Sequence, residues 1–340
     1  MNQRRSNIEL LRIISMAMVV MVHLDCAALG YPSTSGSLMS VSATDWWKLT
    51  VESIVIIGVN CFTLISGYFG IKARWSGFVR LTAQCLVYSV GIYTVLSLTG
   101  LIPWSWDEWV ESWMVYTHTD LWYVPAYLCL WLISPWLNTA AAQIPRRQFG
   151  TALGAFILFN IWAGWIWEGA FNAYGYTAMQ LIMMYLIGRY ISLYIPFSKV
   201  STARRRMVAF AVYLLCTAAI TVTAVYIGPL KAFAYNSPLV IASSIAFFIL
   251  FTTLHIQSKA INRIAAGAFA VYLIHKNPYI WGGIIKPLCL RMWHECDLAG
   301  YTLFAIGMTT VTYLACSAID LGRQWLFRQF ESAGRNKIKV

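Results

Sequence analysis

Two ionisable side chains, Arg12 and His23, lie inside the first long apolar stretch of the chain. Ionisable groups are costly in hydrocarbon, so a pair of them in a membrane segment indicates a functional site. Eleven residues at about 100° each bring both side chains to one stripe of a helix, roughly 16 Å apart along its axis. A histidine can take a proton near neutral pH, and an arginine can bind an anion. The pattern predicts a helix that meets a charged substrate at one end and reacts with it deeper inside.

Each of the two residues also has a purely structural interpretation. Arg12 can be a snorkelling arginine that marks the start of a membrane helix. Glu9 precedes it by three residues, which is a helical spacing for an ion pair. His23 can be a histidine that hydrogen-bonds a neighbouring helix. The separation along the helix excludes a direct hydrogen bond between Arg12 and His23.

The composition is that of a polytopic, all-α membrane protein. Of 340 residues, 59% are hydrophobic and 11% are charged, against about 25% charged in a soluble domain. Apolar runs of about 20 residues recur along the chain. We expect one transmembrane domain over residues 5–325 and a basic cytoplasmic tail over 326–340. The first apolar run is too long for a cleaved signal peptide, so we expect it to be retained.

The positions of the basic residues predict the orientation in the membrane. Both termini are predicted to be cytoplasmic, because 18 of the 25 Lys and Arg residues then fall on the inner side. This topology explains the net charge of +12 better than nucleic-acid binding, which we do not expect. The predicted location is the cell (inner or plasma) membrane. About ten membrane helices are predicted, over 8–30, 51–70, 79–101, 121–137, 149–166, 176–195, 207–228, 238–256, 264–284 and 301–321.

The cysteines give little functional signal. Most of the eight lie in apolar runs, where cysteine acts as a small hydrophobic residue. Only Cys289 and Cys296 flank a single predicted outer loop, and the sequence leaves a disulfide between them open. Cys and His residues are not clustered at metal-ligand spacing, so we expect no metal site.

Four segments together resemble the acyltransferase-3 family of integral membrane acyltransferases. They occur in the family's order and span nearly the whole chain. The segments are IELLRIISMAMVVMVH (8–23), NCFTLISGYFGIKAR (60–74), LWYVPAYLCLWLISPWLN (121–138) and AVYLIHKNP (270–278). The resemblance implies a ten-helix enzyme that moves an acyl group, commonly acetyl from acetyl-CoA, to a hydroxyl of a carbohydrate.

The resemblance also implies site residues. It places the catalytic histidine at His23, and we expect Arg12 to be the second catalytic residue. Ser66 is not expected to be a nucleophile, because no Gly-x-Ser-x-Gly turn surrounds it; Ser66 and Gly67 instead indicate close helix packing. The expected CoA-binding residues are Lys72, Arg74 and Arg80, for which an ordinary positive-inside loop is the alternative. The expected cavity-lining residues are Ser66, Tyr68, Trp122, Tyr123 and His275. Anchoring in an interfacial aromatic belt is the alternative for Trp122 and Tyr123. His275 can either assist His23 or hold the fold through a hydrogen bond between helices.

The sequence thus predicts a membrane enzyme that transfers an acyl group, expected to be acetyl, from acyl-CoA to a cell-surface carbohydrate or lipid-linked glycan. No bound cofactor is expected; acyl-CoA is a co-substrate, and the other partners are the carbohydrate acceptor, the lipid bilayer and further glycan-assembly enzymes. Two alternatives remain open. One is a membrane transporter or flippase of a glycan or related small molecule, and the other is a sensory or binding module that has lost catalysis.

Overall fold

The chain folds into helices joined by short connections. The computed structural model of the chain describes residues 5–34, 36–117, 121–197 and 201–337. Within these ranges there is no β-strand, which confirms the all-α class. The α-helices there are α1 Ser6–Val22, α2 Ala43–Val55, α3 Gly58–Phe69, α4 Trp75–Leu98, α5 Trp106–Trp113, α6 Tyr123–Gln143, α7 Arg146–Phe159, α8 Ala178–Tyr194, α9 Thr202–Ile227, α10 Pro229–Ala232, α11 Pro238–Thr252, α12 Lys259–Ala265, α13 Ala268–His275, α14 Pro278–Ile280, α15 Lys286–Glu295 and α16 Leu298–Lys337.

Several helices have the length and composition of membrane spans. Six candidates occur among the described residues, and together they support a multi-pass membrane protein. They are Ser6–Ala27, Ala43–Phe69, Trp75–Leu98, Arg146–Ile166, Thr202–Ile227 and Leu298–Gln329. Four further predicted spans fall on helices outside this set, namely α6, α8, α11 and the α12–α14 region. The last candidate span belongs to α16, which continues without a break through the predicted tail boundary at residue 325.

Helix α1 lies at the centre of the bundle and packs against α2, α3, α11, α12, α13 and α16. Hydrogen bonds fix its first turn to the rest of the fold. The Ser258 amide donates to Ser6 Oγ at 3.0 Å, and Asn7 Nδ2 donates to the Phe251 carbonyl at 3.0 Å. Helix α1, which carries Arg12 and leads directly into His23, is therefore held by its neighbours along its length.

A π-helical turn, His23–Ala27, follows α1 directly. Such turns insert an extra residue into a helix and occur frequently at functional sites. His23 is the first residue of the turn, and Asp25 within it leaves helical geometry (φ −93°, ψ −112°). The break changes the direction of the side chains that follow His23 relative to those of α1.

Helices α3 and α8 approach each other closely through two glycines. A Cβ atom on Gly67 would collide with the Tyr185 backbone of α8. One on Gly188 would lie 2.5 Å from the Leu64 carbonyl oxygen of α3. This contact confirms close helix packing at Gly67, because only a residue without a side chain fits at Gly67 or at Gly188.

Candidate active site

The two predicted site histidines, His23 and His275, meet across α1 and α13. His23 Nδ1 lies 2.9 Å from His275 Nε2. His275 is the last residue of α13 and only 1% exposed. The helices bring together residues that are 252 positions apart in the sequence.

A backbone carbonyl fixes which nitrogens carry protons in the neutral pair. His275 Nδ1 lies 2.6 Å from the carbonyl oxygen of Val271, which can only accept a hydrogen bond. His275 therefore donates through Nδ1 and accepts through Nε2. His23 must then donate through Nδ1, which leaves the lone pair on its Nε2 available. A histidine in this tautomer can act as a general base through Nε2.

A small cavity lies beside His23. Its volume is about 40 Å³, room for about three water-sized spheres. Trp281 packs its ring edge-on against the His23 imidazole, with ring centroids 5.5 Å apart. The lining is mostly apolar and aromatic, and consists of Met16, Val19, Val22, His23, Val55, Ile56, Val59, Phe62, Trp122, Tyr123, Tyr235, Phe269 and Tyr272.

Arg12 lines a second cavity of about 180 Å³. Its Nε lies 3.2 Å from Glu9 Oε2, which confirms the ion pair predicted from the spacing. Its guanidinium lies over the Phe62 ring, 5.6 Å from the centroid. The other lining residues are Phe62, Ser66, Leu81, Tyr123, Tyr127 and Phe269.

The two cavities share a wall. Phe62, Tyr123 and Phe269 line both of them. Arg12 and His23 therefore face the same three aromatic residues from two sides, in agreement with their position on one helix stripe. These three side chains separate the charged end of the candidate site from the imidazole pair.

The other predicted cavity residues are distributed unevenly. Ser66 lines the Arg12 cavity, Trp122 lines the His23 cavity and Tyr123 lines both. His275 contacts His23 directly rather than forming part of the wall. Tyr68 lies outside both cavities and accepts a hydrogen bond from Arg5 at 3.0 Å. It is the last-but-one residue of α3, two residues after Ser66 and on another side of the helix.

The predicted CoA-binding residues sit where the chain leaves α3 and enters α4. Lys72 and Arg74 belong to the connection that follows Gly70, and Arg80 lies in the first turns of α4. All three are exposed. Exposure agrees equally with a ligand-binding loop and with an ordinary basic loop.

Sequence reasoning did not assign five aromatic residues to the two cavities, and it did not find Trp281 beside His23. The five are Phe62, Tyr127, Tyr235, Phe269 and Tyr272. Tyr127 could have been found, because it follows Tyr123 by four residues and stacks on it at 5.7 Å. Phe62 and Phe269 had no signal beyond being apolar. Trp281, which packs against His23, is the first residue of a π-helical turn, Trp281–Ile285, and no local sequence pattern predicts this contact.

The cysteines form no disulfide. All eight are free, with Cys289 buried and Cys296 partly buried. The structure therefore contains no disulfide between Cys289 and Cys296, the pairing that the sequence left open.

Comparison with known families gives one match, which covers almost the whole chain. A family model described as an acyltransferase domain, Acyl_transf_3, matches residues 5–321. The chain belongs to the acyltransferase-3 family. It is therefore a membrane acyltransferase in the general sense, and both cavities and all four motif segments lie within the matched range. No curated protein and no solved structure matches the chain.

Proposed function

We propose that this acyltransferase moves an acyl group, in particular acetyl, from acyl-CoA to a hydroxyl of a cell-surface carbohydrate or lipid-linked glycan. The observation that carries the proposal is the His23–His275 pair, whose hydrogen bonds leave His23 Nε2 as a proton acceptor beside a cavity. A general base of this kind is what attack by an alcohol on a thioester requires.

In the proposed reaction, His23 relays a proton from the acceptor hydroxyl to the leaving sulfur. The acceptor hydroxyl gives its proton to His23 Nε2 as its oxygen attacks the thioester carbonyl carbon. The new C–O bond forms, the C–S bond breaks, and the ester is the product. The departing sulfur takes the proton from His23, so that CoA leaves as a free thiol and the imidazole is neutral again. His275 Nε2 accepts the hydrogen bond from His23 Nδ1. This bond holds the His23 ring in place and stabilises the transient His23 imidazolium.

The cavity at His23 has room for a reacting group but not for a whole CoA. We propose that the nucleotide stays on the side of Arg12, where a guanidinium can bind phosphate oxygens. Exposed basic residues at the α3–α4 connection, Lys72, Arg74 and Arg80, then bind the remaining phosphates. The acyl end passes the shared aromatic wall toward His23, and Trp122 and Tyr123 border the acceptor.

The proposed arrangement also includes the membrane topology predicted from the distribution of Lys and Arg residues. Ten membrane helices with both termini cytoplasmic put the α3–α4 connection on the side where acyl-CoA is made. The transmembrane domain is then 5–325, residues 326–340 form a basic cytoplasmic tail, and the protein resides in the cell membrane with glycan-assembly enzymes as neighbours.

Mass spectrometry of surface glycans from cells with and without this protein tests the proposal. We expect an ester-linked acyl group that is present only with the protein. Membranes that contain it should also release free thiol from acetyl-CoA when acceptor is added. A transporter or flippase would move substrate without consuming acetyl-CoA, so transport without thiol release would contradict an acyltransferase.

A further inference from the structure

Three buried side chains with metal-ligating atoms cluster beyond His23. They are Asp25 and Cys26, from the π-helical turn His23–Ala27, and Glu52 from α2. The carboxylate oxygens and the thiol sulfur all lie within 4.8 Å of one another. Asp25 and Glu52 are 0% exposed and Cys26 is 3% exposed. None of the three has a role in the proposed acyl transfer.

The Glu52 carboxylate has no hydrogen-bonding partner in the described part of the chain. Neither of its oxygens accepts a hydrogen bond, and no described salt bridge reaches it. The two Asp25 oxygens likewise have no hydrogen-bonding partner among the described residues, and the positive charge of Lys48, one turn before Glu52 on α2, acts on Asp25 electrostatically. The Lys48 ammonium itself lies over the Trp293 ring, 5.0 Å from its centroid. A buried carboxylate without a partner is costly, so this cluster requires either a bound cation or protonation of its carboxyl groups.

We propose that Asp25, Cys26 and Glu52 bind a divalent cation of the zinc type. Ligand atoms of a tetrahedral zinc ion stand about 3.5 Å apart, given metal–ligand distances of about 2.0–2.3 Å. The ligand atoms of this cluster, all within 4.8 Å of one another, have to move closer by about 1.3 Å or less to reach that spacing. Calcium and magnesium prefer oxygen ligands alone, whereas a thiolate favours zinc.

Charge and coordination number also fit such an ion. On binding, the Cys26 thiol loses its proton to solvent and becomes a thiolate ligand. Two carboxylates and one thiolate then surround a doubly positive ion, and Lys48 stands nearby to balance the remaining negative charge. Three protein ligands leave a fourth coordination position open for water.

The ion has a structural consequence for the candidate active site. Asp25 and Cys26 belong to the turn that begins at His23, and Glu52 belongs to a different helix. A cation held by all three fastens this turn to α2 and limits movement of the His23 backbone. Sequence spacing does not reveal the cluster, because its ligands come from two helices and include a single cysteine and no histidine.

Zinc content and a cobalt spectrum of the purified full chain in detergent test this site. After dialysis against zinc and then against metal-free buffer, we expect about one zinc per chain by elemental analysis. With Co²⁺ in place of zinc, a near-ultraviolet thiolate-to-cobalt absorption band reports the Cys26 ligand. Both readouts are independent of acyl transfer, so they fail or succeed separately from the proposed function.

Substitutions test whether the bound zinc and the cobalt band arise from Asp25, Cys26 and Glu52. Cys26→Ser should abolish the cobalt band, and Glu52→Gln should lose zinc, while Cys61→Ser, which removes another fully buried thiol, should keep both. If Cys26→Ser does not fold, Glu52→Gln decides, because loss of the cobalt band in that variant would place the thiolate ligand in this cluster and survival of the band would overturn the site. A wild-type protein without zinc or without the band overturns the site, as does a band that survives in folded Cys26→Ser. Those outcomes would favour carboxyl groups that are protonated and metal-free.

Discussion

The imidazole rings of His23 and His275 are joined by a 2.9 Å contact between Nδ1 of the first and Nε2 of the second. The carbonyl oxygen of Val271 sets the direction of that hydrogen bond, since it accepts from His275 Nδ1. A backbone atom of α13 thus selects the tautomer of a side chain on another helix. In the proposed mechanism His275 positions the His23 ring, and His23 meets the substrate.

Substitutions of His275 distinguish a role in positioning the His23 ring from a purely structural role. His275→Ala removes the acceptor for His23 Nδ1, and we expect kcat to fall about 10- to 100-fold, the cost of a buried donor left unpaired. His275→Gln should recover part of the loss, because its amide oxygen can accept the same hydrogen bond. The pH dependence of kcat/KM should change in His275→Ala. Equal activity of the Ala and Gln variants would contradict positioning through this bond.

Replacing Arg12 tests donor binding at the second cavity. Arg12→Gln removes the guanidinium beside Phe62, and we expect the KM for acyl-CoA to rise about 10- to 100-fold, as for a lost charge-assisted hydrogen bond. The effect on kcat should be smaller. Arg204→Gln is a matched control, because Arg204 is exposed on α9. An unchanged KM in Arg12→Gln would indicate that Arg12 only marks the start of the helix.

The aromatic wall between the cavities should control passage of the acyl group. Phe269→Trp adds bulk at a residue that lines both cavities, and we expect kcat/KM to fall at least about tenfold through misplacement of the acyl end. Phe159→Trp, at an exposed position, is the control for the added indole. Full activity of folded Phe269→Trp would show that the substrate does not cross this wall.

The α3–α8 contact should tolerate no side chain at Gly67. Gly67→Ala places a methyl group against the Tyr185 backbone, and overpacking of this kind costs about 1–3 kcal/mol. We expect a lower melting temperature in detergent and less folded protein. Gly91→Ala, on α4 with open space around the added carbon, should leave the melting temperature unchanged. Equal stability of the two variants would rule out close packing at Gly67.

The helical fold and the Arg12–His23 relationship were predictable from sequence, because apolar run length and a period of about 3.6 residues are local properties. The Arg12–Glu9 ion pair followed for the same reason. The partner of His23 was a matter of tertiary packing: His275 could be named as a candidate, but the contact itself depends on how α1 and α13 cross. Glu52 and Trp281 had no local signal in the sequence. Glu52 meets residues of the π-helical turn His23–Ala27, and Trp281 begins a second π-helical turn.

Tyr68 shows the opposite limit of sequence reasoning. Its place in the family-like motif at 60–74 suggested a cavity position, yet the helix turns it toward Arg5. Two residues along a helix rotate a side chain by about 200°, so Ser66 faces the Arg12 cavity and Tyr68 cannot.

We propose His23 as the base of acyl transfer, and thiol release from acetyl-CoA tests this role most directly. Purified His23→Gln protein should release no acceptor-dependent thiol above background, although it elutes as a folded protein in detergent. His294→Gln, which changes an exposed histidine, should release thiol at the wild-type rate. Wild-type thiol release by folded His23→Gln would contradict the account.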